Sequence, residues 1–454
     1  MKTDCRDKKI KSFWKGKSGV MTHGMKRGIW VNSGIIFWLL SFNISLIAAD
    51  FQGSHHIFEY EKAPIAYSRT EAGDPVARFS KDLESGNQEL AFDLKFGYLP
   101  DILKKLDILP ESQVLVFSKS SLQRDLISPT SPRAIYFNDD VYIGWVRWSG
   151  SLEISTADPE LGGVFYVLPQ EKQRVPAIAR KNSCLECHVS SKSMGVPGHL
   201  FRSFRTTVQG ELYQTIGGES MNHNTLLIDR FGGWYVSGSH KGQPHLGNVF
   251  GKQRYLNWDE DPMTYGNQSG LTEFFDSSQY YRDSSDMVAL MVLSHQIHMH
   301  NFLTRLSFET RKNLSAYGHI RYVHPIAEAF LQYLLFAGEP LLEGEIRGGT
   351  RFETEFAKRP PFDSRGRSLR EFNLKTRLFK YPCSYLVYSD SFRKLPGEIK
   401  DFVYFRLWEI LSGKDTSEPY REISKYIKRA ILEILEDTVK NLPEYWNSSL
   451  LPDI

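Results

Sequence analysis

Apolar and polar positions alternate over short runs in the first half of the chain and recur at helical spacing in the second half. The alternation predicts strands at Val114 to Phe117, Ala134 to Phe137 and Val141 to Trp148. The last two flank Asn138-Asp139-Asp140, which is turn chemistry and predicts a hairpin. Leu152 to Ser155 and Val164 to Leu168 extend the pattern, and Trp234 to Val236 adds a strand inside a Gly-, Ser- and His-rich stretch over 181–250. Residues 50–110 are mixed and polar and read as an irregular lead-in. Beyond Ser284 the period changes. Val288, Met291, His295, Met299, Phe302 and Leu306 share one helical face, with Ser285 and Asp286 at its start. Ile399, Val403, Leu407 and Ile410 form a second stripe that stops near Gly413, a good helix terminator. Ile423, Ile427, Ile431, Ile434, Thr438 and Leu442 form a third. The expectation is an α+β fold: a β-rich region over 50–180, a segment of its own character over 181–255, and a helical region over 256–454, packed as one unit.

The first 49 residues stand apart. Gly34 to Ala49 reads GIIFWLLSFNISLIAA, preceded by Lys26 and Arg27 and followed by Asp50. A basic stretch, an apolar run and small residues, in that order, make a secretory signal peptide over 1–49, cleaved after Ala49. The apolar run is short for a stable helix across a hydrocarbon core of ~30 Å. The competing reading is an uncleaved anchor, which would be the chain's one association with a membrane. A start at Met25 would give the signal ordinary length. Export to the periplasm or beyond is therefore expected.

Charge follows the same division. The chain of 454 residues has a formal charge of +3, but residues 1–49 alone carry +7, so the remainder carries −4. A mildly acidic body lacks the clustered positive charge that phosphate backbones require, so nucleic acid is excluded as a partner. With 41% hydrophobic and 24% charged residues the chain is globular, and four cysteines are too few for a disulfide scaffold.

Three of those cysteines lie beyond the signal, and two of them stand in Cys184-Leu185-Glu186-Cys187-His188. In this C-x-x-C-H pattern two thiols on one helical turn can add to the two vinyl groups of a haem, and the adjacent imidazole can bind the iron from one side. One covalent haem c is expected, with Cys184 and Cys187 as thioether donors and His188 as proximal ligand. A Cys184–Cys187 disulfide is the first competing reading. Zinc would need two further ligands, and an iron–sulfur cluster usually needs four cysteines. Pro197, in the Gly195-Val196-Pro197-Gly198 loop, is the expected carbonyl partner of His188, as in class I cytochromes c. Arg202 and Arg205 could pair with haem propionates, with a solvated face as the favoured reading.

Several residues compete for the sixth position on the iron. Met221 and His223 stand far enough along the chain to return over a haem, and His240 and His245 flank a Gly/Pro turn. His295 and Met299 lie on an otherwise apolar helical stripe that points into the core. Met194 is too close to His188 in sequence to cross to the other face. Cys383, the remaining cysteine, reads as a buried small apolar residue.

Taken together, SPRAIYFNDDVYIGWV (131–146), CLECHVSSKSMGVPGHLFRS (184–203), RFGGWYVSGSHKGQPHLGN (230–248), SDMVALMVLSHQIHMHN (285–301) and FNLKTRLFKYPCSYLVYS (372–389) resemble a family of large exported single-haem cytochrome c-like proteins of environmental bacteria. The resemblance implies haem binding and electron transfer, and histidines at positions matching His199, His223, His240, His245, His295 and His300. The chain departs from the pattern at Leu246, where methionine is usual. Two haem functions follow as expectations. The first is single-electron transfer to a redox partner protein. The alternative is a haem-dependent, peroxidase-like oxidoreductase with an open distal site, suggested by a chain far longer than a haem segment requires. A thiol or binding protein without haem is the third reading.

Overall fold

A computed structural model describes residues 56–216, 220–261 and 270–447. The signal segment lies outside the described residues. The predicted strands assemble into one antiparallel sheet, β1 (Val114–Val116), β2 (Arg133–Phe137), β3 (Val141–Trp145), β4 (Ser151–Asp158) and β5 (Gly162–Pro169), to which a short strand not predicted, β6 (Ala179–Arg180), is added. After a separate hairpin of β7 (Ser203–Thr206) and β8 (Leu212–Ile216), the short β9 (Trp234–Tyr235) pairs with β1, giving the order β6-β5-β4-β3-β2-β1-β9. The β2–β3 turn closes where expected, because the Asn138 side-chain oxygen accepts the N–H groups of Asp140 and Val141 at 3.1 and 2.9 Å.

Alternation along the strands feeds two cores, one on each face. Leu115, Ala134, Tyr136, Val141, Ile143 and Trp145 join one hydrophobic cluster, while Val114, Val116, Phe137 and Tyr142 join the other. The first cluster is covered by α1 (Pro75–Glu84) and α2 (Leu99–Lys105). The supposed irregular lead-in is thus partly helical. The Asp74 carboxylate caps α1 by accepting from Val76 and Ala77 N–H, and Val76, Phe79 and Leu83 are buried. A stripe of three apolar positions was too short to stand out from its polar surroundings.

The 181–255 segment holds α3 (Leu185–His188) and α4 (Lys252–Glu260) besides β7, β8 and β9. The second core is built around α5 (Met287–Tyr317), a 31-residue helix. Asp286 caps it, as expected, through Val288 and Ala289 N–H, and Gly318 at φ 70° ends it. From Met287 to Phe308 it is buried on every side, so its polar residues must find partners within the protein. Against it pack α6 (His324–Leu334), which the sequence pattern did not single out, α7 (Phe352–Ala357) and α8 (Asp390–Arg393), with α9 (Gly397–Leu411) on α6 and α10 (Lys425–Thr438) on α9. The second and third stripes are α9 and α10, although α10 begins two residues after Ile423, where the Ser424 hydroxyl caps it. The architecture is α+β. Among the described residues no helix is long and apolar enough to cross a membrane.

Candidate functional site

The C-x-x-C-H residues occupy a tight helical turn. A 3-10 turn at Asn182–Cys184 runs directly into α3, and Val189 leaves it in extended conformation. Three-residue spacing over one helical turn brings Cys184 and Cys187 close together, with Cys184 toward the core and Cys187 toward solvent. Both thiols are free, with Cys184 half-buried and Cys187 exposed. Leu185 is the buried anchor of the turn on the sheet-side core, where Cys184 also packs. Burial pushes the Cys184 thiol above its ordinary range.

His188 is held from behind. Its Nδ1 lies 2.9 Å from the Gly198 carbonyl oxygen and its ring leans on Phe165 of β5, with centroids 4.4 Å apart. A carbonyl can only accept, so Nδ1 carries the proton and Nε2 keeps its lone pair. Burial lowers the imidazole pKa, opposed by the Gly198 bond, so the neutral ring is the form present at pH 7. Pro197 was expected to supply this carbonyl. The register is shifted by one residue: the Pro197 oxygen faces the sheet and accepts the Gly163 N–H at 2.8 Å, which leaves Gly198 pointing at the imidazole.

The loop from 189 to 200 fixes that carbonyl. The Gly198 N–H returns to the His188 oxygen at 3.1 Å, and the Ser193 hydroxyl sits 3.1 Å from the same oxygen. Met194 and Gly195 take left-handed φ values of 58° and 71°, which turn the loop back. A Cβ on Gly195 would meet the His56 carbonyl oxygen at 2.4 Å. Behind the loop, α5 supplies Asn301, whose Oδ1 accepts His199 N–H at 2.9 Å and whose Nδ2 donates to His199 O at 2.8 Å. Arg305 donates to the Met194 carbonyl at 2.9 Å.

Arg202 and Arg205 have partners of their own near the surface. Arg205 forms a bidentate pair with Asp259, and Arg202 lies over the Phe204 ring and donates to Thr215. The cation that acts on His188 is Arg133 of β2, paired at 2.7 Å with Glu153 of β4. Arg133 crosses the strand between them at Gly144, where a Cβ would strike its guanidinium at 2.2 Å.

The candidates for a sixth ligand are all buried and most have neighbours of their own, although His223 Nε2 and His245 Nε2 lack a hydrogen-bond partner. The Met221 sulfur accepts the Phe231 N–H at 3.2 Å. Met299 is fully buried in the helical core, whereas the attachment turn packs on the sheet-side core. His223 and His295 meet head to head, Nδ1 to Nδ1 at 2.8 Å, and both rings stack on Phe336 and Tyr333. His295 Nε2 reaches the Ser384 hydroxyl at 2.7 Å. This Ser384–His295–His223 chain has the connectivity of a nucleophile, a base and an orienting group. All three residues are enclosed at 0–1% exposure, however, so the chain serves the core. His240 and His245 pack on each other at 4.7 Å, and burial drives His245 to about 3.

His199 is buried directly behind the attachment loop, between Tyr142 and Phe165 at 4.6 and 5.8 Å, and neither ring nitrogen has a hydrogen-bond partner. His300 continues inward, bonded through Nδ1 to the Tyr142 hydroxyl at 2.8 Å. Cys383 is fully buried, as expected, and burial raises its thiol to about 12. Among the described residues, no group of three or more His, Cys, Asp or Glu is placed to hold a metal ion by itself. The sequence reading missed Phe165, Arg133 and Asn301. Each is an ordinary strand or helix residue until the loop lies against it.

The donor set suits a covalently attached haem: two free thiols one helical turn apart, and a neutral histidine whose proton is fixed on Nδ1 by the Gly198 carbonyl. No protein family model, no curated protein and no solved structure matches this chain.

Proposed function

We propose that this chain is an exported redox protein that carries one covalent haem c on Cys184 and Cys187 and passes single electrons to a redox partner protein. The observation that carries the reading is the His188 Nδ1–H bond to the Gly198 carbonyl within a C-x-x-C-H turn. That bond leaves Nε2 as a free donor and raises its basicity. Bound haem supplies a one-electron iron couple. The protein's part is to hold the imidazole in one tautomer, shield it with Phe165 and set the local charge through Arg133 and Glu153. Export fits this chemistry, because covalent haem attachment takes place outside the bacterial cytoplasm.

A second reading is favoured by one observation. The Met221 sulfur and both ring nitrogens of His295 have partners within the core, and Met299 lies in a different cluster from the attachment turn, while the His223 Nε2 is buried without a hydrogen-bond partner. An iron held by His188 alone on the protein side would keep an open position, the condition for peroxidase-like oxidoreductase chemistry.

The visible spectrum of the exported protein, oxidised, reduced, and reduced under carbon monoxide, tests both. A c-type spectrum insensitive to carbon monoxide supports the electron carrier, and one that shifts supports the open site. A colourless protein, expressed with haem-attachment machinery, would overturn both and leave a dithiol protein.

A further inference from the structure

We infer that Asn301, in the middle of α5 and more than a hundred residues from the attachment motif, is a positioning residue for the proximal histidine. The inference rests on the haem reading above and concerns how this chain tunes that site.

Asn301 behaves toward the loop as a strand neighbour would. Its side-chain amide makes both hydrogen bonds of the His199 backbone, accepting from N–H at 2.9 Å and donating to C=O at 2.8 Å. These bonds pin the residue next to Gly198, whose carbonyl is the partner of His188 Nδ1 at 2.9 Å. Contact with Gly198 is close as well. A Cβ there would lie 2.3 Å from Asn301 Oδ1 and 3.0 Å from its Cγ, so only glycine lets the loop seat on the amide. Both partners are enclosed, with Asn301 at 0% and His199 at 4% exposure, so water cannot replace either bond cheaply. The Asn301 backbone is committed to a helix buried on every side, so its amide starts from a fixed frame.

The consequence is electronic as well as structural. A firm Nδ1–H···O=C bond increases the donor strength of the other imidazole nitrogen, which favours the oxidised iron. Releasing the Gly198 carbonyl weakens that bond and favours the reduced form. Asn301 thus sets the reduction potential through His199 and Gly198 without touching the haem.

The test uses full-length exported protein with haem attached and compares Asn301→Ala, Gly198→Ala and a control, Thr310→Ala. Thr310 is buried on the same helix, and its hydroxyl bonds only its own turn, at Leu306 O. The readouts are haem midpoint potential and thermal midpoint. The expected result is a positive shift of potential in both Asn301→Ala and Gly198→Ala, with Thr310→Ala losing thermal stability at unchanged potential. Gly198→Ala disturbs the same contact from the loop side, so it decides the matter if Asn301→Ala does not accumulate. Unchanged potential in an attached Asn301 or Gly198 variant overturns the inference while leaving the haem reading intact. Absence of c-type absorbance in the unaltered protein overturns the reading itself, and the inference with it.

Discussion

At the scale of single residues, the two cysteines of the attachment turn are unlike each other: Cys184 packs against the sheet-side core and Cys187 faces solvent. Each thioether saturates one vinyl group, so removing either should leave a haem held once, with its reduced α band displaced to longer wavelength. Cys184→Ala/Cys187→Ala should leave no haem that survives denaturing electrophoresis; retention of stain would contradict the assignment. A different residue separates structural from redox roles. Ser384→Ala removes the hydroxyl 2.7 Å from His295 Nε2 in a fully buried chain. Leaving that nitrogen without a partner should cost about 1–3 kcal/mol in urea unfolding. The haem spectrum should not move, because the chain ends at His223 and not at His188. A spectral change in Ser384→Ala would restore His295 or His223 as a candidate iron ligand.

At the scale of elements, the site depends on β5 meeting the attachment loop backbone to backbone. Gly163 donates to the Pro197 carbonyl, and a Cβ on Gly163 would lie 2.9 Å from Gly198 N and 3.0 Å from its Cα. Gly163→Ala must push strand and loop apart. Overpacking of this kind costs about 1–3 kcal/mol, and here the movement falls on the carbonyl that orients His188. We expect a lower thermal midpoint together with a shifted haem potential, and a shift in stability alone would mean that the loop absorbs the strain elsewhere. Much of this level could be read from sequence. Period-two alternation located β1 to β5, the Asn138 turn closed its hairpin, and Asp286 began α5 at the expected place. Helix α1 escaped because its stripe is short, whereas α6 carries a readable stripe in Ala327, Phe330, Leu331 and Leu334 that the sequence reading passed over. C-x-x-C-H declared itself because chemistry fixes its spacing. Asn301, Arg133 and Phe165 did not, because their roles come from contacts across more than a hundred residues, some twenty or some fifty, and no local pattern marks such contacts. The one-residue difference between Pro197 and Gly198 has the same origin: which carbonyl faces the imidazole depends on β5 taking the other.

At the scale of the whole molecule, an unusual load of histidine is sealed inside. Burial depresses His199, His223 and His295 well below the ordinary imidazole range, His245 to about 3 and His300 to about 4. A base depressed on folding takes up its proton only in the unfolded chain once pH falls below the unfolded value, so acid favours unfolding. Its contribution is complete above the unfolded pKa of ~6.5 and is lost as pH falls toward the folded value. For His300 the full loss amounts to about 3 kcal/mol, accumulated between the unfolded ~6.5 and the folded value of about 4. Four buried carboxyls work against this, since burial raises Asp74 and Asp286 as well as Asp140 and Glu339. Asp140 and Glu339 are both raised to about 7 by burial, so the folded state keeps protons that the unfolded chain gives up, and their contribution fades as pH rises from ~4 toward 7. With His188 and His240 also lowered, seven depressed histidines stand against these four carboxyls, so stability should drop on acidification from pH 6.5, with net proton uptake on unfolding. Comparing His300→Gln with the unaltered protein isolates one proton of that uptake, because every other group is common to both. The variant will be less stable at pH 7, having lost the Tyr142 hydrogen bond, but its urea midpoint should fall less steeply between pH 6.5 and 4.5. Parallel pH profiles would mean that His300 is already protonated in the folded protein, and that the interior around Tyr142 and His199 holds a charge the burial of these rings forbids.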